Sequence, residues 1–153
     1  LSAAQKVFLL GDVFDDNDAH DALTAEDRAL WQRITGHAAC HVLAGNHDPA
    51  GAREIFIDGI ALRHIAANGP DISGHFHPKA RLKGRARPAF LIGADHLLLP
   101  AFGTYTGGLC VTDPPLANLV SSGMIVLTGA RSIAFPFGGQ HAGRPADRPR
   151  RRQ

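Results

Sequence analysis

Short apolar runs that stop at a glycine followed by a polar residue set the pattern of this chain. Residues 6–10 (KVFLL) and 40–44 (CHVLA) are compact apolar runs, each ending at a glycine. That is the pattern of a buried strand running into a loop. Between them, residues 24–37 read as a helix. Thr24 and Asp27 are spaced as a capping box, and Gly36 stands where a helix stops. Leu23, Leu30, Trp31 and Ile34 give that helix only a partial apolar stripe. Residues 54–65 (EIFIDGIALRHI) divide into two β runs at Asp58-Gly59, a strong hairpin signal. Residues 71–73 form a short strand that runs into Gly74-His75-Phe76-His77-Pro78. Residues 89–99 carry a second hairpin around Gly93-Ala94-Asp95, and 109–112, 124–127 and 132–135 read as further strands. One β-α-β unit followed by hairpins predicts a layered α/β protein with mixed sheets.

The 153 residues suit one domain, and 44% apolar content is enough to build a core. Cys40 and Cys110 lack metal-type spacing, and a disulfide between them stays open. No apolar run approaches the roughly 18 residues needed to cross a bilayer, and there is no signal-peptide pattern. The expectation is a cytoplasmic protein without a membrane partner. The chain begins at Leu1, just before the first strand, so it either starts inside a longer protein or uses a leucine start codon. Net charge is +2, but residues 144–153 carry five Arg and one Asp, which leaves −2 for the rest. Such a tail is a solvated end or a sequence-independent contact for nucleic acid phosphates.

Candidate chemistry sits in three clusters, each after a strand-like run: Gly11-Asp12-Val13-Phe14-Asp15-Asp16, Gly45-Asn46-His47-Asp48 and Gly74-His75-Phe76-His77. Open α/β sheets bind ligands beyond the carboxyl ends of their strands. Asp12, Asn46, His47, His75 and His77 would then share one edge, and His64, which ends another run, can join them. Carboxylate, amide oxygen and imidazole together suit Mn, Fe or Zn. Singly, each cluster reads as an ordinary turn; three of them in this order point to a metal site of the kind that clamps a phosphoryl group.

These blocks resemble the calcineurin-like metallophosphoesterase superfamily, whose signature runs Asp-x-His, Gly-Asp-x-x-Asp, Gly-Asn-His-Asp/Glu, a lone His and Gly-His-x-His. Residues 11–15 match the second block, 45–48 the third, His64 the lone His and 74–77 the fifth. GHFHPKARLKGRARPAFLIG, followed by LLLPAFGTYTGGLCVTDP, further resembles the bacterial ligase-associated DNA-damage-response phosphoesterases. The resemblance implies an α/β/β/α sandwich with mixed sheets over residues 1–137, while the Arg/Pro-rich composition of 138–153 reads as a disordered tail. It implies hydrolysis of phosphomonoesters or phosphodiesters by a metal-bridged hydroxide, with DNA or a nucleotide as substrate and DNA-repair proteins as partners. The metal ligands it implies are Asp12 bridging two ions, Asn46, His64 and His75 on the second ion, and His77 on the first. His47 would stabilise the transition state or protonate the leaving oxygen. Asp48 would orient His47 through a hydrogen bond.

One block is absent. No Asp precedes Asp12 and no His precedes His20, so the strand with Asp-x-His is missing from this N-terminally truncated version of the fold. The complete domain is expected to hold two divalent ions, most readily Mn, and this chain one. Asp18, His20 and Asp21 follow the Asp12 strand in a polar loop and do not replace the missing ligands. The alternative is a catalytically impaired metal-binding module, with one ion per chain and no turnover. A third reading sets Lys79, Arg81, Lys83, Arg85 and Arg87 along one face of an extended segment, gripping nucleic acid or simply solvating an edge. The glycines of residues 101–108 suit close approach to a ligand or to the metal loops, with Tyr105 or Thr106 in the site, or packing of a loop under the sheet.

Overall fold

The computed structural model describes residues 5–14, 18–36, 39–103 and 106–138. His37, Asp15, Tyr105 and the Arg/Pro-rich tail, all singled out above, lie outside the described residues.

β1 (Lys6–Leu9) and β2 (Ala39–Val42) pair in parallel, joined by α1 (Ala25–Gly36). This is the expected β-α-β unit, since parallel neighbours need a crossover. Thr24 caps the helix: its hydroxyl accepts the Asp27 amide at 3.1 Å and donates to the Asp27 carboxylate at 2.7 Å. The partial apolar stripe buries little. No residue of α1 is fully buried, Leu30 and Ile34 are about half exposed, and Trp31 meets Phe14 edge-on.

The remaining strands build one large mixed sheet. Its order is β10 (Ile133–Gly138), β9 (Ser122–Leu127), β7 (Arg85–Ile92), β8 (His96–Leu98), β5 (Asp71–Ser73), β4 (Ile60–Arg63) and β3 (Glu54–Ile57), with β6 (Lys79–Leu82) paired to β7. β4, β5 and β8 run parallel and the other pairs antiparallel. The mixed α/β architecture read from the sequence is therefore met. In the β3–β4 hairpin, Ile57 pairs with Ile60, so Asp58 and Gly59 form a two-residue loop. Both have positive φ, 50° and 84°, as a type I′ turn requires.

Three elements depart from expectation. Residues 79–88 fold back as the β6–β7 hairpin, with Lys83 (φ 50°) and Gly84 (φ 84°) at its turn; Lys-Gly is a weaker turn signal than Asn-Gly. The five basic residues therefore do not share a face. Lys79 and Arg81 lie on one, opposite Pro88 and Ala86, while Arg85 and Arg87 lie on the other, opposite Leu82 and Ala80. Residues 109–112 contribute a single bridge from Cys110 to Lys79 rather than a strand. The Asp113 carboxylate accepts the Cys110 amide at 2.8 Å and curls the chain. α2 (Pro114–Leu119) follows, with a proline in its first turn, a position proline favours. Its Leu116 is fully buried against Leu91, Leu98, Ile125 and Leu127, the centre of the core. Cys40 and Cys110 are both free thiols. No helix among the described residues is long and apolar enough to cross a membrane.

Candidate metal centre

Parallel pairing sets the geometry of the site. β1 and β2 lie in register from Lys6↔Ala39 to Leu9↔Val42, so the loops that follow them leave the same edge. β4 and β5 are also parallel, with Arg63 opposite Ser73. His64 and the Gly74-His75 turn therefore emerge together, and the Gly74 amide bonds to the His64 carbonyl at 3.1 Å.

The glycines that open the first two clusters pack against each other. A Cβ on Gly11 would sit 2.7 Å from the Gly45 Cα, and one on Gly45 would overlap the amide and carboxylate of Asp12. Only glycine permits this approach. Gly11 and Asp12 both have positive φ, 79° and 50°, and winding the chain this way turns successive amides inward as an anion-binding nest. Asp48 fills it. Its Oδ1 accepts the amides of Asp12 at 2.7 Å and Gly45 at 3.1 Å, and its Oδ2 accepts those of Val13 at 2.8 Å and Phe14 at 3.4 Å. Asp48 was expected to orient His47; in the structure its buried carboxylate accepts four backbone amides and fixes the Asp12 loop.

The Asp12 carboxylate is divided. Oδ1 accepts the His47 amide at 2.9 Å, while Oδ2 lies 3.1 Å from His64 Nε2. His64 is buried and joins the two sheets, because its Nδ1 donates to the Leu10 carbonyl at 2.7 Å. A carbonyl only accepts, so the Nδ1 proton is assigned and a neutral ring leaves Nε2 as a bare lone pair. That nitrogen faces Asn46 Oδ1 at 2.8 Å, His75 Nδ1 at 3.0 Å and Asp12 Oδ2 at 3.1 Å. The two oxygens only accept, and one proton on Nε2 would serve one of its three neighbours. A divalent cation drawn to this point satisfies oxygen and nitrogen donors together. The donor set thus fits a metal by its own chemistry. Asp12, His64 and His75 offer ligand atoms within 4.8 Å of one another.

His75 and His77 are both held below the ordinary histidine range. Burial is the larger cause for each; next comes His64 for His75, and His75 then His64 for His77. Burial disfavours the charged ring, which leaves the neutral form that ligates metals. His77 stands apart from the triad. Its φ is 46°, and it lines a cavity of about 270 Å³ with Lys79, Ala86, Pro88, Ala101, Gly103 and Thr106. His47 is exposed, and its charge is felt at His75. His20 remains outside the cluster, beside Asp21 and edge-on to Phe14. The glycine-rich loop does approach a metal loop: a Cβ on Gly108 would strike the His77 carbonyl. What the sequence reading missed here is the cavity wall from β6 and β7, because it did not see that those residues fold into a hairpin.

The chain superposes on the crystal structure of nuclease MPE from Pseudomonas putida with a TM-score of 0.67 and 26% identity, over 88% of this chain and 70% of that one. The fold is shared with a nuclease. No family model and no curated protein matches this chain.

Proposed function

We propose that this chain is a metal-dependent phosphoesterase of the calcineurin-like superfamily that hydrolyses phosphodiesters in nucleic acid. One observation carries this reading: a buried His64 Nε2 ringed by Asn46, His75 and Asp12 at 2.8 to 3.1 Å. The nuclease fold of the Pseudomonas putida protein supports the substrate class. The resemblance of residues 74–93 and 97–114 to the ligase-associated DNA-damage-response phosphoesterases favours that branch, and with it a cytoplasmic role in DNA repair.

Asp12, Asn46, His64 and His75 would hold one divalent ion, Mn before Fe or Zn, with His77 and Asp12 contributing to a second. Such an ion supplies Lewis acidity at a phosphoryl oxygen and lowers the pKa of water. The chain's own residues do the rest. Asp48 keeps the Asp12 loop rigid, so the carboxylate meets the imidazoles without reorganising. His64 Nδ1 is anchored to Leu10, which aims Nε2 inward. His47, which is exposed, would hydrogen-bond a phosphoryl oxygen or give a proton to the leaving oxygen.

The test is hydrolysis of an aryl phosphodiester with added Mn²⁺. Asp12→Ala is expected to abolish turnover, and His47→Ala to lower kcat about 10² to 10⁴-fold, the usual range for a lost general acid. Wild-type turnover by Asp12→Ala would refute the assignment. Metal uptake by the wild-type chain without turnover would instead favour a metal-binding interaction module.

A further inference from the structure

Phe102 is the most exposed large apolar side chain among the described residues, fully open to solvent. Its two neighbours, Ala101 and Gly103, both line the cavity beside His77. Single exposed apolar side chains are common on protein surfaces; this one stands out by its place, between two residues of the cavity wall. The opposite wall comes from the β6–β7 hairpin, whose register puts Lys79, Ala86 and Pro88 on one face; all three line the cavity. The Lys79 ammonium donates to the Thr106 carbonyl at 3.3 Å, so it is tethered across the cavity with donor capacity to spare. Among the described residues no carboxylate lines this space, and Arg81 continues the same strand face two residues on. Small side chains, a cation and an adjacent bare aromatic ring are what a nucleotide unit needs: a floor, a phosphate partner and a stacking surface.

We propose that this cavity is the subsite for the nucleotide flanking the cleaved phosphate, with Phe102 stacking its base and Lys79 pairing with its phosphate. His77 links the two places, because it lines the cavity and its amide donates to the Gly74 carbonyl at 3.3 Å, in the same turn that carries His75. The assignment rests on the phosphodiesterase reading above, and it makes Phe102 and Lys79 positioning residues rather than catalytic ones.

The test compares a single-stranded oligonucleotide with a small aryl phosphodiester, both with metal-loaded protein. Phe102→Ala removes only an exposed ring, so folding is not at stake. Its KM for the oligonucleotide is expected to rise about tenfold or more, the usual worth of one stacked base, with a far smaller change for the aryl ester. Lys79→Gln is expected to raise the same KM and to flatten its log–log salt dependence by roughly 0.7 to 0.9, one phosphate contact. Ala86→Glu, an exposed substitution on the cavity wall, is expected to act like Lys79→Gln. Arg85→Gln removes equal charge from the other hairpin face and is expected to do little. Unaltered oligonucleotide KM in Phe102→Ala and Lys79→Gln, with the aryl ester still cleaved, would overturn the subsite alone. An Arg85→Gln effect equal to that of Lys79→Gln would overturn it too, by reducing the contact to a general field. No turnover of either substrate by the wild type would overturn both this subsite and the phosphodiesterase reading.

Discussion

The two sheets meet at the candidate metal centre but are held together in different ways. The large sheet has a continuous apolar core: Leu91, Leu98, Leu116 and Leu127 are fully buried, and Val120 and Ile125 nearly so. The small sheet has no such core among its described residues. β1 and β2 each begin exposed and stay only partly buried, and α1 buries nothing fully. What orders its working end is polar: Asp48 holding four amides, and His64 reaching back to Leu10. Two of the five candidate ligands, Asp12 and Asn46, therefore depend on hydrogen bonds, while His64, His75 and His77 stand on a packed scaffold. Position in the site does not imply equal support beneath it.

Substitutions that break this contrast should rank accordingly. Leu91→Ala empties a fully buried position and is expected to cost about 2–5 kcal/mol of global stability, read by urea denaturation. Asp48→Ala strips the acceptor from four amides; leaving buried donors unmet costs about 1–3 kcal/mol. Its signature should be local. Amides of residues 12–14 and 45 are expected to exchange hydrogen faster, while those of β7 keep their protection. Uniform loss of protection in both sheets would show that the two are one cooperative unit. Leu30→Gln on the exposed face of α1 is expected to change stability by less than about 0.5 kcal/mol. A larger loss would mean that α1 is covered on that face.

The parts of the site legible in the sequence were those where backbone chemistry restricts the residue type. Gly11 and Gly45 are glycines because their backbones touch, and Asp12 follows in a left-handed conformation that Asp tolerates. Asp58-Gly59 announced its turn for the same reason. Asp48 was singled out, but its four amide contacts were not foreseen, because sequence shows that a carboxylate is near without showing the nest of amides around it. The β6–β7 hairpin was hidden because Lys83-Gly84 is a modest turn signal and its strands are charged. The alternation of Lys79, Arg81, Arg85 and Arg87 looked like one basic face until the register split it in two. α2 was missed although Asp113-Pro114 is a fair start signal, since six residues are too few to show a helical period. The cavity beside His77 depends on three separate segments and has no local signature at all.

The central claim is that His64 Nε2, Asn46, His75 and Asp12 converge on a cation rather than on a proton. Calorimetric titration of Mn²⁺ into the wild-type chain, His64→Ala and His20→Ala tests it most directly. Saturable binding by the wild type and by His20→Ala, weakened about 100-fold or more in His64→Ala, is the expected result. Equal affinity in all three would contradict it.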